Sequence, residues 1–377
     1  MDHAAPPFRI KVRRAMIAVA VGLVAVLLLA GVALVALSPG RPAPLRYADG
    51  RAIRGSISER VTVDIGGVPQ GMFIQSADPK NPVLLFLHGG PGMPGFVFNA
   101  THPTGLERHF TVVWWEQRGA GMSFSDDIPE GSMTIDQLIA DTIEVTDYLR
   151  TRFDQDRIIL LGHSWGSYLG IQVVAAAPDR FSAYVGMGQL VHQLRSEVLA
   201  HAYMLDAYRA RGDLAMVRRL EAAPASMEDG LSPAYMRLRD EAMHGLGIGT
   251  TRNMTSVITG IFLPVWRSRA YTVMEKINIW RGKAWSRRLL WDDMVVTDLS
   301  TRFTDFDLPV YFFIGRYDYT TNQDMARSYF DKISAPAKGF YLFENSAHSP
   351  LFEEPARATE ILLRDVLPGT TTLADKP

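Results

Sequence analysis

The chain has 377 residues, of which 47% are hydrophobic and 21% are charged, values typical of a globular protein. Its formal net charge of -1 comes from 39 basic and 40 acidic residues, so no field of one sign would attract nucleic acid. The sequence contains no cysteine, which excludes disulfides, thiolate metal sites and a cysteine nucleophile.

The first predicted element is an apolar run at residues 15–37 that carries no charged or strongly polar side chain. A helix of this length spans about 35 Å, enough to cross a hydrocarbon core of about 30 Å. The predicted cytoplasmic tail at residues 1–14 contains the basic residues Arg9, Lys11, Arg13 and Arg14. By the positive-inside rule we expect a single-pass anchor, with the rest of the chain extracytoplasmic, in the periplasm or outside the cell. A cleaved signal peptide is the alternative.

Residues 38–56 are rich in Pro, Arg, Gly and Ser, and they predict a linker. Residues 61–65 and 72–75, joined across Gly66-Gly67, are expected to form an antiparallel pair at the edge of a sheet. Short apolar runs typical of strands buried on both faces follow at residues 83–87, 111–115, 157–161, 183–187, 310–314 and 340–343.

Helical patterns separate several of these runs, at residues 134–152, 165–176, 322–333 and 355–366. The alternation predicts a doubly wound, mostly parallel α/β domain with helices on both faces, in two parts at residues 57–190 and 301–368. Amphipathic helical patterns at residues 191–300 predict a helical cap inserted over the catalytic face. Residues 369–377 are expected to form a C-terminal tail.

The segment Gly162-His163-Ser164-Trp165-Gly166 matches GxSxG and stands between a predicted strand and a predicted helix. This is the setting of a nucleophile elbow, a turn so sharp that it needs glycine at its flanks. Ser164 is therefore the predicted nucleophile. An ordinary strand–helix turn is the alternative interpretation.

The segment His88-Gly89-Gly90-Pro91-Gly92 directly follows the apolar run at residues 83–87. Acyl transfer passes through a tetrahedral intermediate whose oxyanion needs preorganised N–H donors, and glycines let the backbone approach it closely. We expect one donor at the N–H of Gly90 and the other at the N–H of Trp165. A Gly/Pro-rich turn without a catalytic role is the alternative.

An acid and a histidine follow the last two predicted strands. Asp318 is expected to lie in the crevice at the carboxyl ends of the strands and to orient a histidine. Its rivals are Asp307, which precedes its strand, and Asp324, which falls inside a predicted helix. Of nine histidines, only His348 lies after the last strand, and it is the predicted general base.

Several motifs together resemble the prolyl aminopeptidase branch of the α/β hydrolases, also called proline iminopeptidases or peptidase family S33. They are HGGPG at residues 88–92, WEQRGAGMS at 115–123, GHSWGS at 162–167, GRYDYTT at 315–321 and ENSAHSP at 344–350. The resemblance covers the two predicted parts of the α/β domain. It implies an α/β-hydrolase fold with a cap, a Ser164–His348–Asp318 triad and no metal or organic cofactor.

Two departures from this family stand out. Relatives commonly carry Asp-Gln-Arg-Gly where this chain has Glu-Gln-Arg-Gly at residues 116–119, a segment that we interpret as a structural loop. The family also recognises the free amine of its substrate with acidic cap residues, and no local motif selects them here. The possible substrate-binding residues are Glu197, Asp206, Glu228 and Glu275, each of which is alternatively a solvated helix charge.

We therefore expect a serine hydrolase that acts through an acyl-enzyme intermediate on short peptides or aminoacyl amides with a free N-terminus, proline being one such residue. A carboxylesterase with an apolar acyl pocket is the first alternative, and a non-catalytic membrane-tethered binding protein is the second. The expected partners are a small peptide or ester substrate and, through the N-terminal helix, the membrane. No nucleic-acid partner is expected, and no feature of the sequence indicates an oligomeric state.

Overall fold

The computed structural model describes residues 8–376, so residues 1–7 of the predicted cytoplasmic tail and Pro377 lie outside the described part of the chain. The first element is helix α1 (Phe8–Ala36). Its stretch Val12–Ala36 is long and apolar enough to cross a membrane, and the rest of the chain does not bury it. A membrane-spanning helix and a signal sequence both have this length and composition.

The described residues contain the strands β1 (Ile57–Ile65), β2 (Val68–Ser76), β3 (Val83–Leu87), β4 (Thr111–Trp115), β5 (Ile158–His163), β6 (Phe181–Met187), β7 (Ala225–Ser226), β8 (Gly230–Leu231), β9 (Val310–Gly315) and β10 (Lys338–Phe343). All but β7 and β8 form one sheet in the order β1-β2-β4-β3-β5-β6-β9-β10. Strand β2 pairs antiparallel with β1 and β4, and the other pairings in this sheet are parallel. The predicted edge pair and the six predicted buried strands are confirmed.

The central strands are continuous apolar runs because both of their faces are buried. In β3, Leu85 and Leu87 belong to one apolar core, whereas Leu84 and Phe86 belong to a second core on the opposite face. Successive side chains of a strand point to opposite faces, so a strand between two layers needs apolar residues of both parities.

The helices after α1 are α2 (Phe96–Thr101), α3 (Ile135–Phe153), α4 (Trp165–Ala176), α5 (Gln193–Ala210), α6 (Leu214–Glu221), α7 (Pro233–Leu246), α8 (Leu263–Arg267), α9 (Val273–Val296), α10 (Gln323–Lys332), α11 (Pro350–Glu353) and α12 (Pro355–Ile361). Short π-helical turns precede α8 at Ile258–Phe262 and follow α12 at Leu362–Val366. Helices α3, α4 and α10 match their predicted ranges to within a residue or two. Helix α4 is apolar on all sides because nearly all of it is buried.

Strand β2 begins earlier than its apolar pattern predicts because a polar side chain inside it is satisfied by buried partners. The amide of Gln70 donates to Asp141 of α3 at 2.8 Å and accepts from the indole N–H of Trp115 at 3.1 Å. Asp141 also forms a fully buried ion pair with Arg118, with 2.7 Å between Nε and Oδ2. These bonds fasten the edge of the sheet to α3.

Helices α5 to α9 occupy the stretch between β6 and β9 in which a cap was expected. Helices α5 to α7 enclose an apolar core of their own that includes Met204, Leu220 and Tyr235. Helices α8 and α9 pack instead on the two cores of the sheet, for example through Val265 and Leu290. The β7–β8 hairpin between α6 and α7 is a departure from an all-helical insertion.

The segment after α1 is packed against the cap. Ser38 is buried, and its hydroxyl accepts a hydrogen bond from Nζ of Lys276 in α9 at 2.7 Å. The N–H of Arg41 donates to the carbonyl of Arg269 at 3.2 Å. The end of α1 is therefore held next to the start of α9.

The predicted C-terminal tail is fastened to the sheet over its described part. The carboxylate of Asp365 accepts from the N–H of Thr372 at 2.8 Å and from the N–H of Leu373 at 2.7 Å. The N–H of Asp375 donates to the carbonyl of Phe340 in β10 at 2.9 Å.

Candidate active site

Ser164 stands at the junction of β5 and α4 in a strained backbone conformation. Its φ of 57° and ψ of -120° are uncommon for a residue with a side chain. A Cβ on Gly162 would overlap the carbonyl of Gly166, and one on Gly166 would overlap the carbonyl of Leu87. The turn is therefore so tight that glycine is required on both sides of the serine.

Asp318 and His348 are brought together by the loops that follow β9 and β10. Nδ1 of His348 lies 2.8 Å from Oδ2 of Asp318, and both side chains are buried. The carboxylate also accepts from the N–H of Thr320 at 2.8 Å and from the N–H and hydroxyl of Thr321 at 3.1 and 2.9 Å. Burial by itself raises the pKa of Asp318, but His348 and the Thr321 donors hold that pKa below its ordinary value.

The other ring nitrogen of His348 is not hydrogen-bonded to Ser164 or to any other described residue. An ionised carboxylate at Nδ1 places the proton there and leaves Nε2 as an acceptor. Nε2 is buried and has no hydrogen-bond partner within residues 8–376. His348 and Ser164 line the same cavity. Gly188 makes room for the ring, because a Cβ there would lie 2.9 Å from it.

The glycine-rich loop after β3 lies against the serine. A Cβ on Gly89 would be 3.3 Å from Cβ of Ser164, and Gly90 has a φ of 129°, which favours glycine. Gly90 and Trp165 both line the cavity. Their N–H groups donate to no acceptor in the part of the chain that the structure describes. The two donors predicted from the sequence are thus near the serine and uncommitted.

Gln117 ties this loop to the start of α4. Its backbone N–H donates to Nε2 of His88 at 3.1 Å, and its side-chain amide donates to the carbonyl of His88 at 3.2 Å. Its amide oxygen accepts from the indole N–H of Trp165 at 2.8 Å. Burial lowers the pKa of His88 to about 4, so the ring is neutral and can accept this bond. The segment interpreted as a structural loop therefore connects the glycine-rich loop to Trp165 at the start of α4.

Glu116, where relatives commonly carry Asp, is a buried acid. Its carboxyl accepts from the hydroxyl of Tyr271 at 2.5 Å and from the N–H of Met122 at 2.6 Å. Burial raises the pKa of Glu116 to about 8, although these two donors oppose the shift. Tyr271 precedes α9, so this contact joins the loop after β4 to the cap.

His163, the residue before the nucleophile, supports the loop that carries His348. Its Nε2 lies 2.9 Å from the carbonyl of His348, and the two ring centroids are 4.9 Å apart. Burial, and then the neighbouring His348, lower the pKa of His163 to about 3. A neutral ring at this position adds no second positive charge beside His348.

The cavity over Ser164 has a volume of about 200 Å³ and lies between the sheet and the cap. Its apolar lining includes Met93, Phe98, Leu190, Val257, Ile261 and Phe352. Its cap side is formed by Met236, Arg239 and Asp240 of α7 and by Lys283, Arg287, Trp291 and Met294 of α9. The α9 residues recur at helical spacing, so they share one face of that helix. No metal-binding cluster of His, Asp and Glu is found in residues 8–376.

None of the four acidic residues considered for amine binding lines this cavity. Glu197 is buried, and its carboxylate is bound by Arg239 at 2.7 Å. Glu275 caps α9 and pairs with Arg60. Asp206 and Glu228 are exposed on the cap surface.

Asp240 is a carboxylate that does line the cavity, and the cations Lys283 and Arg287 line it too. None of these three residues was predicted from the sequence to bind substrate. In the sequence, Lys283 and Arg287 are indicated only by a spacing of four residues within a helical pattern, from Lys283 to Arg287 and from Arg287 to Trp291. That spacing is equally typical of a solvated helix face.

Comparison with known proteins gives one family. A model of the alpha/beta hydrolase fold family matches residues 82–355. The probable aminopeptidase YbaC of Bacillus subtilis (strain 168) is 33% identical over 311 residues, which cover 82% of this chain and 96% of that protein. A proline iminopeptidase of Lactobacillus delbrueckii subsp. lactis is 27% identical over 299 residues, or 77% of this chain and 91% of its own length. The crystal structure of a Mycobacterium smegmatis proline iminopeptidase has a similar fold, with a TM-score of 0.58 and 18% identity, covering 82% of this chain and 98% of that one.

Replacing Glu116 with Gln should flatten the pH dependence of stability between about pH 6.5 and 8. Because burial raises the pKa of Glu116 from 4.5 to about 8, the folded protein keeps a proton that the unfolded chain has already lost. The free energy of unfolding contributed by this group therefore falls as pH rises, by up to about 1.4 kcal/mol per pH unit. Buried His88 and His163 have lowered pKa values, so they reduce stability only as pH falls below about 6.5.

Urea unfolding followed by tryptophan fluorescence at several pH values in this window would measure the effect. The exposed Glu228→Gln variant is the control and should keep the wild-type slope. Equal slopes for wild type and Glu116→Gln would contradict the assignment of a buried proton to Glu116.

Proposed function

The chain belongs to the α/β-hydrolase family, as its motifs predicted, and from that premise we propose that it hydrolyses an ester or amide through an acyl-enzyme formed on Ser164. One observation carries the proposal. Asp318 binds Nδ1 of His348 at 2.8 Å, Nε2 of that ring has no partner in residues 8–376, and His348 lines the same cavity as Ser164.

In the proposed reaction, Oγ of Ser164 attacks the substrate carbonyl carbon while Nε2 of His348 takes the hydroxyl proton. The N–H groups of Gly90 and Trp165 donate to the oxyanion of the tetrahedral intermediate. The imidazolium, stabilised by Asp318, gives its proton to the leaving amine or alcohol, and the carbon–nitrogen or carbon–oxygen bond breaks. Water, deprotonated by Nε2 of His348, then attacks the acyl-enzyme. The ester bond to Oγ breaks, the carboxylic acid leaves, and His348 returns the proton to Ser164. The proposed chemistry uses no metal or organic cofactor.

The proposed substrates are short peptides or aminoacyl amides. The similarity of the chain to a probable aminopeptidase and to a proline iminopeptidase supports this class of substrate. A cavity of about 200 Å³ favours a small substrate over a protein. Asp240 is the carboxylate that could meet a substrate amine, since it lines the cavity.

A carboxylesterase is the second proposed function, and a specific observation favours it. Asp240 already accepts a hydrogen bond from Nη1 of Arg239 at 2.9 Å, so an incoming amine would compete with that guanidinium. The apolar part of the lining would suit an acyl chain. A membrane-tethered binding protein without turnover is the third proposal, and the uncommitted Nε2 of His348 speaks against it.

We propose that α1 anchors the chain in a membrane, with its basic N-terminal end cytoplasmic and the catalytic domain outside. Ser38, two residues after the end of α1, binds Lys276 of the cap, so a retained α1 would place the cap beside the membrane. The cap exposes apolar side chains, including Ile258, Phe262 and Met274. Phe262 contacts the ring of Trp266, whose carbonyl accepts a hydrogen bond from Lys276. Exposed apolar groups beside a membrane helix are stabilised when they contact lipid. This arrangement favours a cap that rests on the bilayer.

Ser164→Ala should abolish covalent labelling by a fluorophosphonate probe, because its hydroxyl is the proposed nucleophile. Asp318→Asn should keep the fold but lower kcat by about 10³–10⁴-fold, since the histidine loses its tautomer control. Ser328→Ala, an exposed serine on α10, is the control and should label like wild type. Labelling that persists in Ser164→Ala would overturn the proposed reaction.

Prolyl p-nitroanilide should be cleaved faster than its N-acetylated form, by about tenfold or more, if a charged amine is recognised. Asp240→Asn should shrink this ratio, because it removes the carboxylate of the cavity lining. Asp206→Asn, which removes an exposed carboxylate outside the cavity, should leave the ratio unchanged. Equal rates on the two substrates in wild type would exclude the aminopeptidase and leave the carboxylesterase.

The native chain lacks cysteine, so single cysteines report membrane topology directly. In intact cells, a membrane-impermeant maleimide should label Ser328→Cys without lysis if the domain is extracytoplasmic. Ile258→Cys should react more slowly than Ser328→Cys, because lipid covers that face of the cap. Labelling of Ser328→Cys only after lysis would contradict the proposed orientation.

A further inference from the structure

The cations of α9 lie on two faces that differ in how their charge is balanced. On the outer face, Arg281 pairs with Asp126 at 2.6 Å and Arg288 pairs with Glu130. Lys283 and Arg287 instead line the cavity that contains Ser164. Neither forms an ion pair with a carboxylate of residues 8–376. The catalytic side of the helix is thus the side with unbalanced charge.

Lys283, which is half-buried, and Arg287, which is exposed, are like charges placed side by side. They are four residues apart, so they are neighbours on the helix surface, where like charges repel. Each of the two cations lies near an aromatic ring. The guanidinium carbon of Arg287 is 4.9 Å from the ring centroid of Trp291, and Nζ of Lys283 is 6.0 Å from the ring centroid of Trp280. Lys283 is only partly exposed, so water screens its charge incompletely.

The acids near the cavity offset the positive charge only in part. Arg239 donates Nε to both carboxylate oxygens of Glu197 at 2.7 Å, and its Nη1 donates to Asp240. The local charge count is therefore two carboxylates and three cations. The carboxylates are Glu197 and Asp240, and the cations are Arg239, Lys283 and Arg287. The surplus is about one positive charge, which matches a singly charged carboxylate better than a phosphate dianion.

We propose that Lys283 and Arg287 form an anion-binding subsite that takes a carboxylate of the substrate. The proposal rests on the proposed hydrolase function of the same cavity, and it narrows the substrate class to esters or amides that carry a free carboxylate. For a short peptide this group is the C-terminal carboxylate. Arginine provides parallel N–H donors that fit the two carboxylate oxygens, and lysine adds a point charge.

Competition between benzoate and benzamide tests this subsite, because the two ligands have similar shape and differ in charge. With the neutral ester p-nitrophenyl acetate as substrate, benzoate should inhibit the wild-type full-length protein with a Ki about tenfold lower than that of benzamide. In Lys283→Gln/Arg287→Gln the ratio of the two Ki values should fall to about one. The matched control Arg281→Gln/Arg288→Gln, which removes two cations from the outer face of the same helix, should keep the wild-type ratio.

Calorimetric titration of the same two ligands into Ser164→Ala separates this proposal from the proposed function. A preference for benzoate in Ser164→Ala, lost in the variant that also lacks Lys283 and Arg287, supports the subsite even if no Ser164-dependent hydrolysis is found. Equal affinity for benzoate and benzamide in Ser164→Ala overturns it, whatever the activity. If the double variant does not fold, the single variants Lys283→Gln and Arg287→Gln should each lower the ratio, and unchanged ratios in both would also overturn it.

Discussion

The hydrogen bond between His348 and Asp318 is the interaction on which the proposed site depends, and the parallel sheet makes it possible. Strands β9 and β10 are neighbours and run in the same direction, so the loops after them leave the same edge of the sheet. Strand β5 ends at that edge too, two strands away from β9. Three stretches of chain far apart in sequence therefore meet where open α/β sheets bind ligands.

Close packing around this bond leaves the serine turn and the imidazole of His348 little conformational freedom. Gly162 and Gly166 let the serine turn sit under the loop after β3, and Gly188 admits the imidazole. Gln117 then links that loop to Trp165, so hydrogen bonds connect the loop that contains Gly90 to the start of α4. The nearby histidines are neutral at ordinary pH because they are buried, which leaves His348 to carry the proton of the proposed reaction.

Most of the fold was predictable, because each buried strand is a short apolar run and amphipathic helices such as α3 and α10 have a period of 3.6. Ser164, Asp318 and His348 were predictable as a set because each follows a strand. The cap chemistry was not. Whether Glu197 faces the cavity or Arg239 depends on how helices pack, and helical spacing cannot distinguish these outcomes. The buried contact of Glu116 with Tyr271 was not predictable either, since the two residues are 155 positions apart in the sequence.

The most direct test of the central claim is a crystal structure of the protein after reaction with a phosphonate inhibitor. The account predicts phosphorus bonded to Oγ of Ser164, Nε2 of His348 within about 3.2 Å of an oxygen on phosphorus, and the phosphoryl oxygen facing the N–H groups of Gly90 and Trp165. An adduct on another residue, or an imidazole of His348 turned away from the bound phosphorus, would contradict it.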